Sequence, residues 1–361
     1  VAGVAAGNNG VAYKSDIIVV KLGEDNFFST ARLMEGVDFA LKFAMENNRP
    51  IAINISIGNN YGAHDGTSLF ETYIDYVTEI WKNNVIVGAG NEADKRIHTV
   101  VKLNDRSEMC EFIVGNYEES IAIQIWKRYW DDFYIEIENP SGERYAVPKG
   151  EGIYEFKSSD EFIYVYVGTA TPYSYNSEIL IQIIPDNVYV KSGIWQIMFY
   201  PDSIKDGNID LWISGRTMLT GQTGFTNAVP ETTLTIPSTS YRVITVGAYN
   251  GRTFSYAPFS GRGNTKNLVT VKPDISAPGV DISAPYPGGG YRLASGTSVA
   301  APFVTGAAAI LMEWGIVKGN DFFMYGERLK AKLIKDSIQN NGQKIWPNRL
   351  LGWGLLCLKI I

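Results

Sequence analysis

Residues 295–311 read SGTSVAAPFVTGAAAIL, and the interpretation of the whole chain depends on this stretch. Thr and Ser are common helix N-caps, so a helix beginning after Gly-Thr-Ser is by itself ordinary. This helix, however, is apolar on nearly all sides, which predicts that it is buried and that its first turn lies inside the protein. Backbone N–H groups and the helix dipole stabilise a negative oxygen there. Ser298 therefore occupies the position of a nucleophile.

The segments that precede this helix predict an α/β domain. Short β-branched apolar runs alternate with amphipathic stretches up to Gly90. The predicted elements are strands at 17–22, 51–58 and 85–90 and helices at 30–48 and 68–84. This order predicts a parallel sheet with helices on both faces, and sites in such sheets lie outside the carboxyl ends of the strands.

A different pattern fills the chain between residues 96 and 231. Apolar and polar residues alternate there with period two, aromatic residues are frequent, and no helical pattern appears. Short strands separated by Gly, Pro, Asn and Asp clusters are typical of an antiparallel sandwich. The predicted domains are therefore a first part of the α/β core at 1–95, an inserted all-β sandwich at 96–231, and a second part of the core at 232–361.

Composition excludes several classes of function. The net charge is −6, and the chain has no Lys/Arg-rich block, so nucleic acid is not an expected partner. The two cysteines form no disulfide framework, and their spacing suggests no metal site or cofactor. The chain has no run of about 18 uninterrupted apolar residues, so we expect no membrane span.

Two further segments suggest the rest of a catalytic site. Residues 85–93 read VIVGAGNEA, in which Asn91 follows a strand. An Asn side chain at a strand end can simply form a turn, but it can also donate a hydrogen bond to a developing oxyanion. Residues 54–58 read NISIG, where the Gly either ends a strand or exposes an edge that binds an extended peptide.

These motifs together resemble those of subtilisin-like serine proteases. VAGVAAG at 1–7 resembles the helix after the family's histidine motif, and NISIG, GAGNEA, FSGRG, KPDISAPG and the serine motif follow in family order. The resemblance implies a subtilisin-like three-layer fold, with Ser298 as nucleophile and Asn91 as oxyanion donor. It implies that Ser56, Ile57, Gly58 and Gly90 bind the substrate backbone. The inserted domain and GAHDGTSLFE at 62–71 resemble the clostridial spore-germination proteases, which carry a jelly roll there.

The chain departs from this family in its histidines. The resemblance implies that the catalytic His and Asp lie upstream of Val1. His64, beside Asp65, is a conceivable substitute base, although a turn histidine next to a carboxylate is more often a solvated or capping residue. His98 begins the insertion, where we expect a structural role.

Two functions follow as hypotheses. The first is a serine endopeptidase that cleaves a protein or peptide substrate through Ser298, with an N-terminal companion segment or propeptide as its partner. The second is an inactive relative that acts as a binding or regulatory module. The resemblance implies an extracytoplasmic or spore-associated location.

The inserted domain allows two interpretations of its own. Its tryptophans suit a carbohydrate site or a buried core, and we expect the core, with a stabilising and substrate-restricting role. The residues concerned are Trp126, Trp130, Trp195 and Trp212.

Overall fold

The structure is a computed structural model, and it describes residues 1–23, 29–172, 174–214, 219–264, 270–340 and 342–359. The chain folds into two compact units. The core unit comprises Val1–Asn59, His64–Ala93 and Glu231–Ile361, and the inserted unit comprises Asn60–Ala63 and Asp94–Pro230. Residues 60–63 pack with the inserted unit.

A parallel sheet forms the centre of the core unit. Within the described residues it has four strands in the order β1-β2-β14-β15, namely β1 Ile51–Ile55, β2 Asn83–Gly88, β14 Ile244–Tyr249 and β15 Ile275–Pro278. Every residue of β2 and β14 is buried. Such continuous burial is expected of a parallel strand that is covered on both faces.

Helices cover both faces of this sheet. Val85 and Val87 of β2 belong to an apolar cluster with α2 (Thr30–Glu46) and α3 (Leu69–Ile80). Ile86 between them belongs to a cluster with α4 (Thr297–Met312) and α5 (Gly326–Asp336). Successive side chains of a strand point to opposite faces, so the two clusters lie on opposite sides of the sheet. The helices of the core unit are α1 Ala2–Ala6, α2 Thr30–Glu46, α3 Leu69–Ile80, α4 Thr297–Met312 and α5 Gly326–Asp336.

Local sequence explains where two of these helices begin and end. The Ser68 side chain accepts a hydrogen bond from the Glu71 backbone N–H, and the Glu71 side chain accepts one from the Ser68 backbone N–H. This reciprocal pair is a capping box at the start of α3. Helix α4 continues into a π-helical turn at Glu313–Val317.

Helix α4 and this turn are long and apolar enough to cross a membrane by length and composition alone. The segment Thr297–Val317 has a mean hydropathy of 1.5, and 67% of it is buried inside the structure. The central helix of a core has the same character, because it must be apolar on all sides.

The prediction of a buried strand at 17–22 is wrong. The segment belongs to no helix or strand, and the Val19 side chain is 77% exposed. Val20 and Leu22 do pack near Gly36 of α2. The apolar composition indicated a buried strand, but no strand in the described part of the chain lies beside the segment to complete the burial.

The inserted unit consists of antiparallel strands in two sheets. Among the described residues, one sheet has the order β3-β12-β5-β10-β9-β8 and the other β13-β4-β11-β6-β7. The strands are β3 His98–Lys102, β4 Glu108–Val114, β5 Ile121–Arg128, β6 Asp132–Glu138, β7 Arg144–Ala146, β8 Gly152–Lys157, β9 Glu161–Val167, β10 Asn176–Pro185, β11 Gly193–Ser203, β12 Asn208–Ser214 and β13 Gly224–Phe225.

A final hairpin of the core unit pairs β16 Ile282–Pro285 with β17 Tyr291–Ala294.

One apolar cluster joins the two sheets of the inserted unit. Trp195 and Trp212 are fully buried in it, and Trp126 packs against it half-buried. These three side chains therefore serve as core, as expected from the alternating pattern. Trp130 instead contacts Tyr129 and Tyr175, with ring centroids 4.9 and 6.2 Å away.

A buried ion cluster ties α5 to the sheet. The Asp274 carboxylate accepts hydrogen bonds from Lys272 Nζ at 2.7 Å and from the Thr245 backbone at 2.7 Å, and Lys330 Nζ lies 3.0 Å from its other oxygen. Burial alone would raise the pKa of Asp274, but the two ammonium groups outweigh it and lower that pKa below its ordinary value. Burial lowers the pKa of Lys272 to about 8.

Replacing this carboxylate should destabilise the core unit strongly. Asp274→Asn leaves two ammonium groups buried without a counter-charge, so we expect a loss of about 3–5 kcal/mol in the free energy of unfolding. Denaturant unfolding at pH 7 measures the loss. The matched control is Asp202→Asn, because Asp202 pairs with Lys149 at the surface, and it should cost less than about 1 kcal/mol. Equal effects of the two variants would contradict the expectation.

Because Asp274 has a lowered pKa, its contribution to stability has a predictable sign with pH. The contribution is present above the unfolded pKa of the carboxyl group and is lost as the pH falls through the lower folded value.

Candidate active site

Ser298 lies in the first turn of α4, half-buried beside the carboxyl end of β1. Its hydroxyl donates a hydrogen bond to the Ser56 carbonyl oxygen at 3.2 Å. Its backbone N–H has no acceptor among the described residues. The first turn of α4 contains no acidic residue, so no carboxylate of its own offsets the positive end of the helix dipole.

Asn91 follows β2 and is oriented by Thr297. Asn91 Oδ1 accepts hydrogen bonds from the Thr297 backbone N–H at 2.8 Å and is 3.1 Å from the Thr297 hydroxyl. Since the Thr297 backbone N–H requires an acceptor, the amide oxygen must face Thr297, which leaves Asn91 Nδ2 to donate elsewhere. In the described part of the chain Nδ2 has no acceptor. The Asn91 backbone N–H donates to Glu92 Oε2 at 2.6 Å.

The two unpaired donors lie around one point beside Gly296. A β-carbon at position 296 would lie 3.4 Å from Asn91 Nδ2 and 3.7 Å from the Ser298 backbone nitrogen. Gly296 has a φ of +147°, a conformation that side chains rarely allow. Glycine therefore leaves free a position within contact distance of both donor nitrogens, with Asn91 Oδ1 3.6 Å from the same point. A negatively charged oxygen bound there would receive both donors, as the tetrahedral intermediate of acyl transfer requires.

The sequence analysis did not identify Thr297 as a site residue, although Thr297 belongs to the Gly-Thr-Ser motif. Its hydroxyl accepts from the Gly90 backbone N–H at 3.1 Å and lies 3.2 Å from the Gly90 carbonyl oxygen. The Gly90 carbonyl also accepts from the Gly261 backbone. Gly90 is buried, and both its backbone groups hold the segments of the site together. The position of Thr297 directly before Ser298 is the feature of the sequence from which this role could have been predicted.

The segment after β1 presents an exposed backbone edge. Ile57 is 45% exposed and Gly58 is exposed, and their backbone groups make no hydrogen bond within the described ranges. Ser56 lies one residue earlier, and its carbonyl accepts the Ser298 hydroxyl. The structure thus brings Ser56 and Ser298 together and leaves Ile57 and Gly58 open beside them.

Neither histidine is bound to Ser298. His64 is buried, with 3% of its surface exposed, and its Nδ1 lies 2.6 Å from the Leu234 carbonyl oxygen. His98 lies in the inserted unit, stacked on Trp212, with Nε2 3.1 Å from Asp210 and Nδ1 3.3 Å from the Val229 carbonyl. The His98 ring and the Trp212 ring stacked on it are therefore part of a packed interior. The described residues contain no group of three or more His, Cys, Asp or Glu side chains that could hold a metal ion.

A solved structure resembles this chain over nearly its whole length. The CspB protease of Clostridium perfringens superposes with a TM-score of 0.91 at 35% sequence identity, covering 99% of this chain and 77% of that one.

Curated relatives match shorter pieces. The PII-type proteinase of Lactococcus lactis subsp. cremoris is 38% identical over 81 residues, which is 22% of this chain and 4% of that protein. The minor extracellular protease Vpr of Bacillus subtilis is 30% identical over 110 residues, which is 27% of this chain and 12% of Vpr. The chain thus spans a small fraction of the length of these relatives.

The family model named "Subtilase family" matches residues 1–152 and 207–354, well over half of the chain. The matched ranges include Ser298, Asn91 and the strand edge after β1. This match agrees with the parallel sheet and with the buried helix behind Ser298. The chain belongs to the subtilase family.

Proposed function

We propose that this chain is the nucleophile-bearing part of a serine endopeptidase that cleaves a protein or peptide substrate by acyl transfer. One observation carries the proposal: Asn91 Nδ2 and the Ser298 backbone N–H are unpaired and face the space that Gly296 keeps open. Water can satisfy these half-buried donors in the free protein, and a ligand that replaces this water must accept both hydrogen bonds. An oxyanion is the ligand that both donors and the helix dipole favour.

The residues of this chain divide the reaction between them. The free backbone groups of Ile57 and Gly58 pair with the substrate backbone. Ser298 Oγ attacks the peptide carbonyl carbon, and the carbonyl oxygen, now negative, receives hydrogen bonds from Asn91 and the Ser298 backbone. The C–N bond then breaks, the amine leaves with the serine proton, and water hydrolyses the acyl-serine.

This reaction needs a base to accept the Ser298 proton, and we propose that a companion segment upstream of Val1 supplies the His and the Asp. The positions of His64 and His98 support this, because neither ring contacts Ser298 in the described structure. The unpaired segment Ile17–Val20 and the edge of β1 support it as well. These are two backbone edges that lack a strand partner among the described residues.

The alternative function is an inactive subtilase that acts as a binding or regulatory module. The hydrogen bond from the Ser298 hydroxyl to the Ser56 carbonyl favours it, because a serine held in this way has no base to activate it. The free edge at Ile57 and Gly58 would then bind a peptide without cleaving it.

We also propose that the inserted unit is a jelly roll with a stabilising and substrate-restricting role. Its two antiparallel sheets around one apolar cluster support this. An extracytoplasmic or spore-associated location is part of the same proposal, supported by the resemblance to clostridial proteases. Recovery of the protein from the cytoplasm alone, on fractionating the producing cells, would contradict that location.

The nucleophile can be identified by covalent labelling. A fluorophosphonate probe should label the full-length protein at Ser298, and Ser298→Ala should lose at least about 99% of the labelling, because the reacting oxygen is gone. Mass spectrometry of the adduct measures the result. Ser295→Ala is the matched control, since Ser295 belongs to the same motif and its hydroxyl is bound to Asp281. Absence of labelling in a folded wild-type protein would support the inactive alternative instead.

The oxyanion donor can be tested with a substitution of similar size. Asn91→Leu should lower kcat by about 10²- to 10³-fold, the range known for removal of one such donor in subtilisin, with little change in KM. Hydrolysis of a fluorogenic peptide by the full-length protein gives both constants. Asn250→Leu is the control, because the Asn250 side chain accepts from the backbone of its own turn. An unchanged kcat for Asn91→Leu would remove Asn91 from the oxyanion site.

The proposed companion segment should change the hydrogen exchange of Ile17–Val20. In the full-length protein the amides of Ile17–Val20 should exchange at least about tenfold more slowly than in the isolated 361-residue chain, because a neighbouring strand accepts their hydrogen bonds. Exchange monitored by mass spectrometry measures this. The exposed hairpin tip at 287–290 is the internal control and should exchange alike in both. Equal rates at Ile17–Val20 would argue that no strand is added there.

A further inference from the structure

The carbonyl group of Ser298 cannot be satisfied by its own helix. In an α-helix the carbonyl of one residue accepts from the N–H four residues later. The residue four positions after Ser298 is Pro302, which lies inside α4 and has no N–H. The Ser298 carbonyl oxygen therefore needs a donor from outside the helix.

Ser56 supplies that donor. Its hydroxyl lies 3.1 Å from the Ser298 carbonyl oxygen and donates to it, while the Ser298 hydroxyl donates back to the Ser56 carbonyl at 3.2 Å. Two hydrogen bonds of opposite direction thus join the residue after β1 to the first turn of α4. They connect the nucleophile directly to the strand edge on which Ile57 and Gly58 are exposed.

The direction of the Ser56 hydroxyl is set by two residues behind it. Asn54 Nδ2 donates to Ser56 Oγ at 2.8 Å, so the Ser56 proton must point away from Asn54 and toward Ser298. The Asn54 amide is oriented in turn by Thr305, whose hydroxyl donates to Asn54 Oδ1 at 2.9 Å. Thr305 is buried one turn after Pro302, and its hydroxyl is also 3.1 Å from the Ala301 carbonyl oxygen.

We infer that Asn54 and Thr305 are positioning residues for Ser298, which act through Ser56 and touch no substrate. The chain runs from Thr305 through Asn54 and Ser56 to the Ser298 carbonyl, with Asn54 Nδ2 donating to Ser56 and the Ser56 hydroxyl donating to Ser298. It fixes the first turn of α4, and with it Ser298 Oγ, relative to the peptide-binding edge. A displacement of about 1 Å at such a position can cost a hundredfold in rate. The inference rests on the proposed peptidase function, because it concerns the reactivity of Ser298.

The test is the rate of fluorophosphonate labelling of Ser298 in the full-length protein, measured over a range of probe concentrations. Thr305→Val removes only the hydroxyl, so it should lower the maximal labelling rate by about 5- to 10-fold without changing the probe concentration at half-maximum. Thr305→Ser restores the hydroxyl and should return the rate to within about twofold of wild type. Asn54→Ala should slow labelling by roughly tenfold or more, and adding Thr305→Val to it should cause little further loss, because the two residues act in one chain.

The control separates positioning from general stability. Thr78→Val in α3 removes another buried threonine hydroxyl that donates to a helical carbonyl, that of Asp75. It should leave the labelling rate unchanged, whatever it does to the thermal unfolding midpoint. If Thr305→Val labels at the wild-type rate, or Thr78→Val slows labelling equally, or Thr305→Ser fails to restore the rate, the positioning role is wrong while the peptidase function stands. If the folded wild-type protein does not label, the peptidase function fails, and the positioning role fails with it.

Discussion

The joint between the first turn of α4 and the carboxyl ends of β1 and β2 is the constraint on which the rest of the core unit depends. Thr297 binds Asn91 and Gly90 on one side of the turn, and Ser298 binds Ser56 on the other. Two consecutive residues of a helix are thereby attached to two neighbouring strands. Because the strands are parallel, their carboxyl ends meet at one edge of the sheet, and the helix start is held against that edge.

The joint is made of polar groups in a half-buried place, where unsatisfied groups are costly. Most of them are paired with one another, as in the chain from Thr305 to the Ser298 carbonyl. The donors left over are Asn91 Nδ2 and the Ser298 N–H, and both face the same space. Because the surrounding groups are already paired, little must move when a group that accepts from these two donors binds there.

Pro302 illustrates how a local defect contributes to this arrangement. A proline inside a helix removes one hydrogen bond and crowds the carbonyl four residues earlier. Here that carbonyl belongs to Ser298, and the missing donor is replaced by the hydroxyl of Ser56. The break in the helix pattern is what allows Ser298 to be attached to the residue that follows β1.

Much of the fold could be predicted from residues that act locally. The β-branched run of β2, the period-two alternation of the inserted unit and the apolar faces of α2 to α4 each determine their own secondary structure, because burial on one or both faces shows in the spacing of apolar residues. The segment 17–22 shows where this fails. Its composition indicated a buried strand, but burial also requires a neighbour, and Val19 is exposed without one.

By itself, the sequence determined the order of the elements, the helix that begins after Gly-Thr-Ser, and the identity of Ser298 and Asn91 as candidates, because these depend on short-range patterns and a motif of adjacent residues. Only the tertiary structure decided which way the Asn91 amide faces and that the backbone N–H and carbonyl of Gly90 both form hydrogen bonds within the protein. It also decided that His64 is bound to a carbonyl, and that Thr305 is linked to Ser56 through Asn54. Each of these is a hydrogen bond between residues distant in the chain. Its direction follows from the donors and acceptors that folding brings together, which no spacing along the sequence encodes.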